Sequence, residues 1–201
     1  MTLMLSLCGF LLGLALGICV LVAYQLPFAP MRWVLTFYTS FFRGTPLLVQ
    51  AFFIYYGLPV LIGMDMPAFL AGCLALGCNS SAFVGETLRG SLSSVSEGQA
   101  HAGKALGLSP TAIWLHILLP QALRDAVPPL TNEFSMLLRG TSAMSAITLM
   151  ELTRASQVVM NQTMQPIEVF VLAGGIYFCV QWLFSTLARV LERYSSVSDA
   201  R

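Results

Sequence analysis

Three groups of residues have the types and spacing to do chemistry. Residues 98–104 read GQAHAGK, the G-x-x-x-x-G-K spacing of a loop whose backbone amides cradle phosphate groups. Asn79, Phe83 and Glu86 stand at i, i+4 and i+7, one side of a helix, with Ser80 and Ser81 close by. A carboxylate there can pair with an ammonium group, or it can sit at a membrane interface with Arg89 one turn away as its partner. Arg139 follows Glu133 by six residues in an apolar stretch. A guanidinium so placed can take a carboxylate through two parallel hydrogen bonds or neutralise a buried acid on another helix. Six-residue spacing puts Glu133 and Arg139 well apart around one helix, so an intrahelical pair is poor.

Other reactive types carry no pattern. Cys8, Cys19, Cys73, Cys78 and Cys179 form no C-x-x-C and read as small packing residues. His101 and His116 have no acidic or cysteine cluster near them, and no nucleophile elbow or H-E-x-x-H occurs. Met144, Met150, Met160 and Met164 read as packing rather than ligands. Neither catalytic nor metal-ligating residues are expected.

The elements that must position these residues follow from composition. The 201 residues are 57% hydrophobic and 9% charged, with a mean hydropathy of +0.78, whereas soluble domains carry about 25% charged residues. This is the composition of a membrane protein, and a net charge of +1 gives no field for nucleic acid. No charge occurs from Met1 to Met31, between Arg43 and Asp65, between Asp65 and Glu86, or between Glu168 and Arg189. Each gap approaches or exceeds the about 20 residues that cross hydrocarbon as a helix. Ala126 to Met150 is apolar apart from Glu133 and Arg139. Backbone groups in lipid must be satisfied internally, and the segments lack the alternation of a membrane barrel. The expectation is one all-α integral membrane domain, residues 1–201, with about five spans at 3–25, 45–63, 67–88, 127–150 and 168–188. The first segment has no basic leader and is too long for a signal-peptide core, so it reads as a span.

Placing the N-terminus outside puts Arg32, Arg43, Arg89, Lys104, Arg124, Arg189, Arg193 and Arg201 inside, leaving only Arg154 outside and Arg139 within a span. The positive-inside rule selects N-out, C-in. Arg43-Gly44-Thr45-Pro46 reads as a helix-breaking elbow with Arg43 in the headgroups, a structural role. Arg154 and Gln157 read as a solvated short helix or a cavity mouth.

Residues 89–126 form an inner loop too long to lack structure. Gly107 can end one helix in a left-handed cap, and Ser109-Pro110 can start the next as N-cap and first helical residue. That helix carries Ile113, Trp114, Ile117 and Leu118 at helical spacing and is expected to stop near Pro120. The phosphate-loop match fails in this context. Ala105 stands where Ser or Thr should follow the lysine, and SLSSVSE before it is no buried strand.

The segment from His101 to Pro120 matches the loop pattern E-A-A-x-x-x-G-x9-I-x-L-P at Ala102, Gly107, Ile117, Leu119 and Pro120. With FFRGTPLLVQAFFIYYGLP at 41–59, NSSAFVGETLRGSLSSVSEGQ at 79–99, LPQALRDAVPPLTNEF at 119–134, ELTRASQ and QTMQPIEVF, the chain resembles permeases of polar amino-acid ABC uptake systems over nearly its full length. It departs at His101, where the pattern has Glu, at Gly103, where it has Ala, and at Arg139-Gly140-Thr141-Ser142, where relatives often carry Lys-Asp-Thr-Ser. Relatives usually have a short leader before the first span, so the start is expected to be truncated.

The resemblance implies a type I importer permease in the bacterial cytoplasmic (inner) membrane. It implies a second permease chain, identical or homologous, an extracytoplasmic solute-binding protein, and a separate ATP-binding subunit that holds ATP and Mg. The inner loop would be the coupling element: Ala102 and Gly103 for close approach, Gly107 for the bend, Ile113, Trp114 and Ile117 as anchors, with His101, Leu119 and Pro120 completing the motif. The substrate path would be lined by Asn79, Ser80, Ser81, Phe83, Glu86 and Arg139, and the substrate would be a small polar amino acid. The competing reading is an ion-coupled secondary transporter with Glu86 as proton site. It would need no docking helix and usually shows inverted repeats, which are not detected.

Overall fold

The computed structural model describes residues 1–95 and 97–197, with side chains as far as Arg189; Arg201 and the Arg193 side chain lie outside the described residues. Every element among them is helical: α1 Thr2–Gln25, α2 Ala29–Gly44, α3 Leu47–Phe52, α4 Leu58–Ile62, α5 Ala68–Ser94, α6 Glu97–Ala105, α7 Pro110–Ile113, α8 Leu119–Gly140, α9 Leu152–Thr163 and α10 Pro166–Val197.

The centre of the fold is the α1–α5 seam. Gly9, Gly13 and Gly17 recur every four residues and share one stripe of α1. A Cβ on each would lie 2.8 Å from Leu76 Cβ, 2.7 Å from Ser80 Cβ and 2.5 Å from Val84 Cγ1. The pairs advance together along both helices, so α1 and α5 run parallel. Without a hydrophobic drive in lipid, such close backbone approach is what holds helices together. Two clusters flank the seam. Leu5, Ala71, Leu76, Leu137, Met144 and Ile147 pack toward the start of α5; Leu21, Val84, Leu88 and Ala126 pack toward its end.

The segment expected to span at 45–63 forms α3 and α4, joined through a π-turn at Phe53–Gly57. At 16 residues, Leu47–Ile62 extends about 24 Å, short of the about 30 Å hydrocarbon core. It is long enough to cross only together with α2, from which it is bent by 108° at Gly44–Pro46. The elbow is there: α2 ends at Gly44 with Arg43 in its last turn, and α3 starts at Leu47.

The inner helix expected to stop near Pro120 instead continues. A π-turn at Trp114–Leu118, with the Leu119 N–H on the Trp114 carbonyl, leads straight into α8. The wider turn accommodates Pro120, which lacks an N–H and would crowd a regular preceding turn. At its far end α8 stops at Gly140 and gives way to a 3-10 segment, Thr141–Ile147. Thr141 Oγ1 and Ser142 Oγ donate to the carbonyls of Leu138 (2.7 Å) and Arg139 (2.8 Å), and such local bonds compete with helix continuation. The expected fourth span, 127–150, and α8 therefore overlap only in part.

Among the described residues, Thr2–Gln25, Ala68–Ser94 and Pro166–Arg189 are long and apolar enough to cross a membrane, and the bent pair makes a fourth if it crosses as one broken span. α8 carries Arg124, Asp125, Glu133 and Arg139 within its 22 residues.

Candidate functional site

The bend between α2 and α3 leaves backbone groups without helical partners. In a continuous helix the Phe42 carbonyl would accept the N–H of residue 46, but that residue is Pro46. Two side-chain amides take its place: Asn79 Nδ2 donates to Phe42 O at 3.0 Å and Gln50 Nε2 at 2.9 Å. Gln50 also reaches the Thr45 carbonyl (3.1 Å) and hydroxyl (2.9 Å), and its Oε1 accepts from Asn79 Nδ2 at 3.1 Å. Tyr38 of α2 is held against α5 through Ser81 Oγ, 2.6 Å from its hydroxyl.

A cavity of about 230 Å³ opens beside this break, bounded by Phe42, Arg43 and Thr45, by Asn79 and Phe83 of α5, and by Glu133 of α8. Arg43 lies over the Phe83 ring, its guanidinium carbon 5.5 Å from the ring centroid. Arg43 Nη1 is 3.9 Å from Glu86 Oε2, to which Arg89 Nη2 donates at 2.6 Å. Arg89 in turn lies over Tyr24 at 5.6 Å. Glu133 is 8% exposed and has no ion-pair partner among the described residues. A buried carboxylate without a cation beside it is expensive and points to function. The cavity thus is lined by a guanidinium from α2, an amide from α5 and a carboxylate from α8.

Of the residues expected to line the path, Asn79 and Phe83 meet in this cavity. Glu86 sits one turn further along α5, outside the lining, and reaches it through Arg43. Ser80 and Ser81 are fully buried: Ser80 packs on Gly13 in the glycine seam, and Ser81 bonds Tyr38 and the Cys78 carbonyl. Arg139 is exposed, and its Nε donates to the Ser135 carbonyl of its own helix at 3.3 Å. Arg43 and Glu133 also line the cavity, where the sequence pattern does not place them, and Gln50 stands behind it, bonded to Asn79. The signal available for Gln50 was an amide in an apolar run shortly after a proline that must orphan a carbonyl.

The inner loop is a compact helix-turn-helix. Gly107 has φ +73°, and the N–H groups of Gly107 and Leu108 close on the carbonyls of Lys104 (3.0 Å) and Gly103 (3.1 Å), the double bond of a left-handed helix cap. Ser109 Oγ accepts from the Ala112 N–H at 3.2 Å. Gly103 is buried under the second arm; a Cβ there would lie 2.9 Å from Ile113 Cγ1 and 3.2 Å from Ile117 Cδ1. Ile113 is thus spent inside the loop, while His101, Ala102, Lys104 and Leu106 are exposed. Trp114 is half-buried with its indole N–H lacking an acceptor among the described residues, Leu119 is half-buried and Pro120 exposed. The stretch from Gly98 to Lys104 lies within α6, so it is no phosphate-cradling loop.

On the opposite side of the fold, Glu151 caps α9. It accepts the N–H groups of Thr153 (2.9 Å) and Arg154 (2.7 Å), and the Tyr177 hydroxyl of α10 at 2.8 Å. Arg154 donates to Gln157 within α9 at 3.3 Å.

Comparison with known proteins decides what kind of molecule carries this cavity. Residues 9–196 match the family described as binding-protein-dependent transport system inner membrane components. The chain belongs to that family. This inner membrane component is 32% identical to the arginine transport system permease protein ArtQ of Bacillus subtilis, over 95% of this chain and 85% of the relative. It is 34% identical to the L-cystine transport system permease protein TcyB of the same organism, over 96% and 82%. Among solved structures it superposes on an amino acid ABC transporter crystallised with histidines, with a TM-score of 0.91 and 34% identity over 96% of this chain and 90% of that one. The fold alone is shared with the MetNI methionine ABC transporter, with a TM-score of 0.68 at 19% identity. The inner membrane component therefore has the all-helical fold of ABC importer permeases.

Proposed function

We propose that this chain forms the translocation path of an ATP-driven importer for a small polar amino acid delivered by an extracytoplasmic solute-binding protein. It crosses the membrane five times, N-out and C-in, and works beside a second permease chain, because five helices cannot enclose a path alone. A separate ATP-binding subunit, which holds ATP and Mg, drives it by gripping the exposed side of the helix-turn-helix around His101, Ala102, Leu106 and Gly107. Gly103, Ile113 and Ile117 act from within as its stiffening core, with Trp114, Leu119 and Pro120 joining it to α8.

The observation that carries the reading is the cavity at the broken helix, where opposite charges face one space. Glu133 takes the ammonium group of an amino acid and Arg43 its carboxylate, with Asn79 and Phe83 between them. Glu86 holds Arg43 in reserve, and the bulkier polar or charged end of the substrate extends toward Arg139 and the second chain. Glu86 already has two guanidinium partners, which suits a structural pair better than a proton carrier. Arginine and cystine are the substrates named for similar permeases.

The test is uptake of a panel of radiolabelled amino acids into proteoliposomes holding the permease, its ATP-binding subunit and its solute-binding protein. Uptake of at least one polar amino acid that stops without ATP and survives collapse of the proton gradient supports the reading. Uptake that follows the proton gradient and ignores ATP would refute it.

A further inference from the structure

Gln50 is 4% exposed, in the middle of an apolar segment, and it makes four hydrogen bonds. We propose that Gln50 is the positioning residue of the cavity: its side-chain amide fixes the α2–α3 break and, through Asn79, sets which polar group the cavity presents to a ligand. The proposal rests on the cavity being the transport path.

Phe42 O has lost its helical donor to Pro46, and the Thr45 carbonyl has lost its own because the Val49 N–H bonds Pro46 O instead, at 3.0 Å. Water is scarce at membrane depth, so both must be satisfied within the chain. The Gln50 amide nitrogen brings two hydrogens to three acceptors, Phe42 O, Thr45 O and Thr45 Oγ1. The Thr45 hydroxyl can accept because its own hydrogen goes to Phe41 O at 2.8 Å. A hydrophobic residue of the same size would meet none of these needs.

The second consequence concerns Asn79. A carbonyl can only accept, so Phe42 O and Gln50 Oε1 together fix Asn79 with its nitrogen toward the break. Both amide hydrogens are then committed, and what Asn79 offers the cavity is its Oδ1 acceptor. That oxygen suits an ammonium or amide N–H of a ligand, on the same side of the exchange as Glu133, while Arg43 supplies the donors. Gln50 thereby acts on recognition without touching the cavity itself, whose lining does not include it.

The experiment uses the whole transporter with its ATP-binding subunit and solute-binding protein. Gln50→Met keeps the side-chain length and removes the amide; Gln50→Met with Pro46→Ala also returns an N–H to the Phe42 carbonyl. Three quantities are measured: recovery of the ATP-binding subunit on co-purification, uptake of labelled L-arginine, L-glutamine and L-cystine, and the distance between spin labels at V34C and V60C in a background without native cysteines. Both label positions are exposed and flank the break, at 62% and 83%. Gln50→Met is expected to assemble, to lose about tenfold or more of uptake, and to lengthen the label distance toward the about 39 Å of a straight helix. In the double variant the carbonyl is satisfied but the break relaxes, so uptake stays low. Wild-type uptake in Gln50→Met, or uptake restored in the double variant, would overturn the proposal, because Gln50 would then only be pairing a carbonyl. If Gln50→Met fails to assemble, the double variant decides by the same criterion. If the wild type takes up no amino acid, the transport reading falls, and an unchanged label distance in Gln50→Met would separately sink the clamp.

Discussion

Along the α1–α5 seam, Gly9, Gly13 and Gly17 bring two helices into van der Waals contact, whereas beside it the α2–α3 break is tied to the same helix by amides. The two regions share α5 and nearly share residues: Asn79 belongs to the break and Ser80 to the seam. The difference in chemistry assigns them different work. A glycine seam depends on shape and has no partial states, so it holds. Hydrogen bonds at a broken helix can be exchanged for bonds to a ligand, so the break can recognise and move. Disturbing the seam should therefore change stability, and disturbing the break should change transport.

The largest effect expected is from Gly13→Leu. Its Cβ would meet Ser80 Cβ at 2.7 Å and the Gly77 carbonyl at 3.2 Å, so the backbones must separate. A cost of about 3 kcal/mol or more follows, read as loss of the monodisperse complex in detergent. Retention of the wild-type melting midpoint would dissolve the contrast from the seam side.

Glu133→Gln is the matching test at the break. Melting should change little, while uptake falls about tenfold or more, since the charge that faces a substrate ammonium is gone. Equal loss of both would make Glu133 a structural residue.

A smaller effect belongs to Gly107→Ala in the inner loop. φ +73° disfavours any side chain, at about 1 kcal/mol. Faster hydrogen exchange over residues 97–118, with weaker recovery of the ATP-binding subunit, is the expected result. Unchanged exchange would show that the turn is not held by that cap.

Gly44→Ala should do least. Gly44 stands at the break in a right-handed conformation with nothing within 4 Å of an added Cβ. A change within about 0.5 kcal/mol and normal uptake are expected, because the break is held by amides and Pro46 rather than by a small residue. A large loss would mean that glycine, as in the seam, is what the break needs.

Much of this contrast can be read from the sequence, unevenly. Charge-free runs located α1, α5 and α10, because desolvation cost is a property of each segment by itself. The caps at Gly107 and Ser109-Pro110 were equally local, and the structure forms both. The spacing of Gly9, Gly13 and Gly17 is visible too, though hydropathy alone passes over it. What escaped depends on neighbours. α2 carries Arg32, Arg43 and several hydroxyls, so hydropathy gave it no part in a span until it was joined to Leu47–Ile62. Asn79, Ser80 and Ser81 are adjacent polar residues, yet helix rotation sends only the first to the cavity. Glu133 and Arg139 looked alike as charges in an apolar stretch, and only the packing of α8 against α5 puts Glu133 inward and leaves Arg139 exposed.

The most direct test of the transport path is a structure of the assembled complex, solved with and without the amino acid that the same preparation takes up. Added density is expected in the cavity beside the break, with the ligand nitrogen at Glu133 and its carboxylate at Arg43. An empty cavity in a complex that holds the amino acid elsewhere along its path would contradict it.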